Sequence, residues 1–561
     1  MASQSDNPPD IMTLEEWQAG LNQQGLRASI GDQDQWWNEN LFGIGTGNLR
    51  SCWGASAPIY TAPGDTVIRR VFFGTYGNRT PLNQAPPPGR QGWMFLSDGS
   101  IDEVDLDTGF VAHIPNVWEP VAPYFWASAK VWRPRFVGHT VGQQGGVLFG
   151  SPKGLYAWDS ETLQGPGDNA PDWLTNAAET PYPVNTVMPI GLPGIHCMEV
   201  FQGRLFVAGE NVMSFSAPSN GSDFSASGGG GSFGYFGDKL VYGYMDLAAS
   251  AGFLYCFGDS STDLISNIQM TNSSTDPQAP VFSTSFQYSN VDPQVGHGFA
   301  RPVGRWSRAF VIANGAPLVG GDISEARAHR GGIYNMFGSQ ASLISQKVTN
   351  TYTTLDVTDF FPTMAPATMF GFRVMLINGR FTDPWGKVRN LLLMWHGQVG
   401  ERGGGGNEFW SVASQTVQLT NIGTYEQDSV LSPYGTDGKH LYRLFSAPDP
   451  ALRKVLATKR YRGKDVKSLM IKNYKRVYAE IADHTGGGVS LTGTLTTSGG
   501  GIPNGAEQVA FELAPGEGTD IKPWPTSGAG ISGAIDLVSV SPDFTIERLQ
   551  VASEDRTLYG A

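Results

Sequence analysis

Eight histidines, three cysteines and 51 acidic residues are what this 561-residue chain offers for chemistry, and their spacing decides which chemistry is open. No two histidines stand at i and i+4, so no helical zinc pair is encoded. His196 and Cys197 are adjacent, but no further Cys or His lies at a ligand spacing, and a structural role is expected for both. Cys52, Cys197 and Cys256 are far apart and odd in number, which gives neither a disulfide framework nor a zinc set and points to a reducing compartment. Asp102, Asp105 and Asp107 invite a calcium reading. Val104 and Leu106 alternate with them as strand core would, so they read instead as the polar face and turn of a hairpin. Gly230-Gly231-Ser232-Phe233-Gly234 matches the serine-nucleophile elbow in letters only, because a Gly/Ser loop precedes it and no helix pattern follows. Gly43-Ile44-Gly45-Thr46-Gly47 lacks the lysine of a phosphate loop and the dinucleotide spacing. Paired carboxylates for sugar hydrolysis are defined by a spatial separation, and no acidic residue stands out at an aromatic-rich strand end. No cofactor, metal or catalytic residue is assigned.

Two features point to contacts instead. Ten of the chain's 38 basic residues fall between Arg453 and Arg476: Arg453, Lys454, Lys459, Arg460, Arg462, Lys464, Lys467, Lys472, Lys475 and Arg476, with Asp465 the one acid among them. In a chain that is acidic as a whole, with net charge −13, such a segment is a complementary surface for a neighbouring copy or partner. Trp36 and Trp37 lie between polar residues and need cover, from this chain or another. A chain this acidic is poorly suited to wrapping a phosphate backbone.

The elements that must position these residues are strands. The 72 glycines and 36 prolines provide many turns without a collagen period, and 30 Phe, 19 Tyr and 15 Trp supply a core. No stretch keeps a helical period over a dozen residues; short apolar runs alternate with Gly, Pro and Asx-Gly turns. The runs recur. Gly92-Trp93-Met94-Phe95 leads through a turn to Asp105-Leu106-Asp107-Thr108, and Gly146-Val147-Leu148-Phe149 leads likewise to Asp159-Ser160-Glu161-Thr162. Phe95, Phe149, Phe206, Phe257 and Phe310 are separated by 54, 57, 51 and 53 residues. A helix-free unit near fifty residues is the length of a four-stranded propeller blade.

The expected fold is therefore all-β: a β-propeller of about six blades over 50–452, its first strand closing the ring against its last. An N-terminal arm at 1–49, with a short helix capped by Thr13 and Glu16, would precede it. A basic entry segment and small β-sandwich at 453–561 would follow. The opening residues carry no signal-peptide pattern, and no run is long enough to span hydrocarbon, so no membrane segment is expected.

Gly252-Phe253-Leu254-Tyr255-Cys256-Phe257-Gly258-Asp259-Ser260-Ser261, with Leu264-Ile265-Ser266-Asn267 after it, resembles the tail nozzle (tail hub) proteins of short-tailed bacteriophages. So do Arg301-Pro302-Val303-Gly304-Arg305-Trp306, Gly332-Ile333-Tyr334, Trp410-Ser411-Val412-Ala413-Ser414, and Tyr434-Gly435-Thr436-Asp437-Gly438 with Leu441-Tyr442-Arg443-Leu444-Phe445. The resemblance covers most of 50–480. It implies a non-enzymatic virion protein, assembled in the host cytoplasm as a homo-hexameric ring below the adaptor ring on the portal side. Such a ring extends the exit channel for double-stranded DNA and carries tail fibres or spikes. The alternatives left by the residues themselves are a propeller glycoside hydrolase or lyase, and a carbohydrate-binding adhesion module.

Overall fold

A computed structural model describes residues 10–76, 89–132, 145–175, 186–235, 243–292, 304–313, 332–355, 363–396, 409–462, 471–499 and 505–556, apart from 16, 18, 32, 45–46, 123–124, 259–261, 277–280 and 306–308. Its centre is a ring of seven four-stranded antiparallel blades, six of them separate sheets and one, blade 6, part of a larger sheet. Blade 1 comprises Ile68–Gly74, Gln91–Leu96, Ile101–Asp105 and Val111–Ile114. Blade 2 comprises Ser128–Trp132, Gly146–Ser151, Gly154–Trp158 and Leu163–Gln164. Cys197–Phe201, Arg204–Ala208, Val212–Phe215 and Gly231–Gly234 make blade 3. Blade 4 is longer, with Tyr244–Ser250, Phe253–Gly258, Thr262–Asn272 and Phe282–Asp292. Blade 5 holds Gly304–Arg305, Ala309–Ala313, Gly332–Phe337 and Gln340–Leu343. Thr363–Met369, Phe372–Thr382, Val388–His396 and Phe409–Ala413 make blade 6. Blade 7 takes Asn421–Gln427, Val430–Thr436 and His440–Arg443 from its own stretch and Tyr60–Thr61 from before blade 1. The chain is a β-propeller, and a strand ahead of the first blade closes it.

The repeat seen in the sequence is a repeat in space. Phe95, Phe149, Phe206, Phe257 and Phe310 all sit on the second strand of blades 1 to 5. Phe95 and Phe149 meet edge to face at 5.9 Å between blades 1 and 2, in a core shared with Trp93, Ile101 and Val147. Each such burial contributes about 1.5–3 kcal/mol. The two polar turns also match: the Asp105 carboxylate accepts from the backbone N–H of Asp107 (2.9 Å) and Thr108 (2.8 Å), and that of Asp159 from Glu161 (3.2 Å) and Thr162 (2.9 Å). Gly99, at φ +89°, turns the first hairpin where a Cβ would fall 2.8 Å from the Trp118 carbonyl.

The described residues form seven blades, against an expectation of about six. Blade 7 has only three strands in its own stretch, so no fifty-residue unit marks it.

The chain ends also differ from the expected arm and separate C-terminal domain. Asp10–Leu14 pairs with Phe544–Arg556, and so does Asn48–Ser51, which in turn pairs with Leu41–Ile44. Phe544–Arg556 continues into Ile471–Asp483 and Thr519–Pro525 to complete one sheet. Asp34–Glu39 lies between the outer strand of blade 6 and Lys454–Thr458, and the sheet runs on through Ser532–Ser539, Val489–Ser498 and Gly505–Leu513. One eleven-stranded sheet is thus both blade 6 and a face of the sandwich. Leu14, Trp17, Leu41 and Leu49 join Val477, Leu491, Phe511 and Leu549 in a single core. The capping pattern at Thr13 lies on a strand, because pairing with 549–553 outweighs a weak local preference.

Candidate functional site

The first strands of blades 1, 2, 3, 4, 6 and 7 border a central channel, where a cavity of about 610 Å³ opens among them. That volume suits a small organic molecule. The third residue of each of these strands builds one level of the wall. On blades 1 to 4 these residues are Arg70, Lys130, Glu199 and Asp246; on blades 6 and 7 they are Ala365 and Gly423. Four consecutive blades therefore present a charged belt, and the opposite side is small.

Within the belt the charges are not equivalent. Lys130 Nζ lies 2.8 Å from Glu199 Oε2, and the other Glu199 oxygen accepts from the Val200 N–H at 3.0 Å. The Arg70 guanidinium lies 5.4 Å from the Phe72 ring centroid and makes no hydrogen bond or ion pair among the described residues. Burial pulls it down to about 10, opposed by the negative charge of Asp246, so it stays cationic at neutral pH. Ladder shifts interrupt the pairing of first and second strands at two places among the described residues, between Ile68 and Arg70 and between Tyr244 and Asp246. Such bulges re-aim the side chains beside them.

Three carboxylates, Glu199, Asp246 and Glu426, line the cavity, and of these Glu199 is tied to Lys130. The buried carboxylates elsewhere are structural. Asp102 accepts from the Tyr60 hydroxyl at 2.5 Å and lies 2.6 Å from His113 Nδ1. Glu103 accepts from the Tyr76 hydroxyl (2.5 Å) and from the indoles of Trp93 (3.2 Å) and Trp158 (2.8 Å), while burial pushes its carboxyl up. Asp105 and Asp107 shape the turn, and Asp107 also pairs with Arg90. His196 stacks on Trp126 at 4.0 Å, and Cys197 is buried with its Sγ 3.6 Å from the Tyr244 carbonyl. Ser232 sits on the outer strand of blade 3 opposite Ser214, far from an elbow geometry. Among the described residues no group of His, Cys, Asp and Glu could hold a metal ion. No helix among them is long and apolar enough to cross a membrane.

The residues expected to meet a partner are dispersed. Trp37 is wholly buried; its indole donates to Glu39 at 3.1 Å and its ring meets Trp385 edge-on at 6.0 Å. Trp36 is partly exposed, with Trp385 at 6.0 Å and the Arg27 guanidinium at 4.9 Å. Both tryptophans are thus covered by their own chain. Lys454 is buried rather than presented: it donates to the Asp449 carbonyl at 2.9 Å, and burial lowers it to about 8. Lys459 lies 5.6 Å from the Tyr461 ring, and Arg460 donates to Ser498 at 2.6 Å. Lys472 and Lys475 pair with Asp555 (3.6 Å) and Glu554 (3.1 Å) on the adjacent strand. Arg453 and Arg476 are exposed. The Arg462 side chain, Lys464 and Lys467 lie outside the described residues. A run continuous in sequence is divided between two sheets, so its described members do not form one basic face. The channel belt carried no local signal, since its members fall one to a blade.

No family model matches the chain, and no curated protein matches it. Solved structures similar to it include BBS1N in complex with ARL6DN, at 9% identity, covering 71% of this chain and 98% of that one with a TM-score of 0.38. The sialidase of Trypanosoma rangeli is 10% identical over 97% of this chain and 96% of its own, TM-score 0.24. A glycoside hydrolase family 43 arabinoxylan arabinofuranohydrolase from Bacillus subtilis is 8% identical over 86% and 95%, TM-score 0.20.

Proposed function

We propose that this chain is a structural virion component, the ring-forming nozzle or hub subunit of a short phage tail, without enzymatic activity. The observation that carries the reading is the fusion of blade 6 and the sandwich into one eleven-stranded sheet, with Asp34–Glu39 lying at the seam between them. A body of this kind transmits force between its two lobes without a hinge, as a ring segment under DNA pressure must. The Arg389 fork on Glu39, at 2.9 and 2.6 Å, reinforces the junction from within. A cavity of about 610 Å³ takes a small molecule, so a duplex would pass through a lumen between copies rather than through the blade ring. The net charge of −13 suits a lumen wall that releases DNA. The sequence resemblance over most of 50–480 supplies the adaptor ring above and the fibres or spikes around it.

Imaging of the purified chain, alone and with virion extracts, tests the reading. The expected result is six-fold rings with an open centre that bind the adaptor ring at the virion axis. Monomers that cleave or bind glycans, and never enter particles, would overturn it in favour of the hydrolase or adhesion alternative.

A further inference from the structure

The charged belt in the channel has no part in that assembly role. Of its four members, Lys130 and Glu199 satisfy each other, whereas Arg70 keeps its five N–H donors free of protein acceptors among the described residues. A guanidinium set into a concave wall without a carboxylate at ion-pair distance is an uncommon arrangement, because its desolvation is then only partly offset, here by the more distant charge of Asp246. The backbone has been altered to produce it: the ladder shift in blade 1 falls immediately before Arg70. The second such shift falls before Asp246, whose charge acts on Arg70 from blade 4. Around them Thr75, Ser128, Asn421 and Thr424 give the cavity a hydroxyl- and amide-bearing wall.

We propose that the propeller channel is a binding site for a small hydroxylated oxyanion, a carboxylate- or phosphate-bearing molecule of sugar size, docked bidentately on Arg70. The planar fork of the guanidinium matches the two oxygens of either group. Asp246 faces the same space and suits a hydroxyl of the ligand. At the same level Ala365 is buried in the core of blade 6 and Gly423 packs on the Phe73 ring, so neither adds a charged group to the wall. The site would tie a glycan end or a metabolite to the blade ring whether or not the chain builds a phage tail.

Titration calorimetry of the full chain with glucuronate, glucose 6-phosphate and glucose tests this. One-to-one binding of at least one acid, with glucose ten-fold weaker or silent, is the expected result. The preferred acid then tells carboxylate from phosphate. Arg70→Met should weaken that acid at least ten-fold and Arg70→Lys less, since the lysine keeps charge without the fork. Should Arg70→Met fail to fold, arginine-directed dicarbonyl labelling of the wild-type chain gives a second measurement. The acid should slow modification of Arg70 and leave the surface residue Arg548 unchanged. No binding of either acid at about 10 mM, glucose binding as tightly as the acids, or no protection of Arg70 would each overturn the proposal.

Discussion

Replacing Arg389 by methionine should separate the propeller from the sandwich energetically. Glu39 is 1% exposed and receives both Arg389 nitrogens, the Trp37 indole at 3.1 Å and the Ser414 hydroxyl at 2.9 Å. Arg389 also lies 3.1 Å from Asp383. Removing one partner of a buried pair costs about 3–5 kcal/mol, because the other charge is left desolvated. Two neutral donors stay on Glu39, which places Arg389→Met near about 3 kcal/mol. Arg389→Lys keeps the charge but loses the fork, for about 1–2 kcal/mol. The control is Lys475→Met, whose pair with Glu554 at 3.1 Å is half exposed on both sides and contributes under about 1 kcal/mol. Urea unfolding followed by tryptophan fluorescence reads all three, taking the first transition because a chain of this size need not be two-state. Equal midpoint shifts for Arg389→Met and Lys475→Met would refute the idea that the junction is held from inside.

Further outcomes follow from other residues. His396 is fully buried, with Nε2 3.0 Å from the Ser411 hydroxyl, and burial lowers it to about 3 from 6.5. Its neutral form favours folding fully above pH 6.5, and this is lost as pH falls toward 3, because only the unfolded chain takes up the proton. His396→Gln should therefore show a shallower fall in stability over that range in acid titrations. Gly20 sits at φ +69° with the Trp410 backbone N and O each 2.7 Å from where a Cβ would stand. Gly20→Ala should cost about 1–3 kcal/mol in thermal unfolding by forcing the N-terminal strands off blade 6. Tyr60→Phe leaves the 3%-exposed Asp102 without its hydroxyl donor. A loss of about 1–3 kcal/mol is expected, with faster amide exchange at 440–443, where the closing strand pairs.

Much of the ring was legible because a blade is a local object. Its strands are hydrogen-bonded to neighbours in sequence, so Phe95 through Phe310 and the Asp105 and Asp159 turns repeat at the spacing of the unit. Whatever depends on pairing across the whole chain was hidden. Tyr60 and His440 belong to one blade but carry no shared pattern. Trp36 and Trp37 looked uncovered because their cover, Trp385, is some 350 residues away. The basic run misled for a related reason. Lys454 opens a strand that is buried along its whole length between Asp34–Glu39 and Ser532–Ser539, while Arg453 just before it stays exposed. Arg70 and Asp246 became a candidate site only when the ring brought their blades together.

The closing strand has a consequence for biosynthesis. Tyr60–Thr61 leaves the ribosome some 380 residues before its partner His440–Arg443. At about 5–20 residues per second that is roughly 20–75 s of translation. The strand Asp10–Leu14 waits longer still, for residues 549–553. The strands Asp10–Leu14 and Tyr60–Thr61 therefore spend most of translation without their partners, and a message cut short before codon 440 yields a chain that cannot shut its ring.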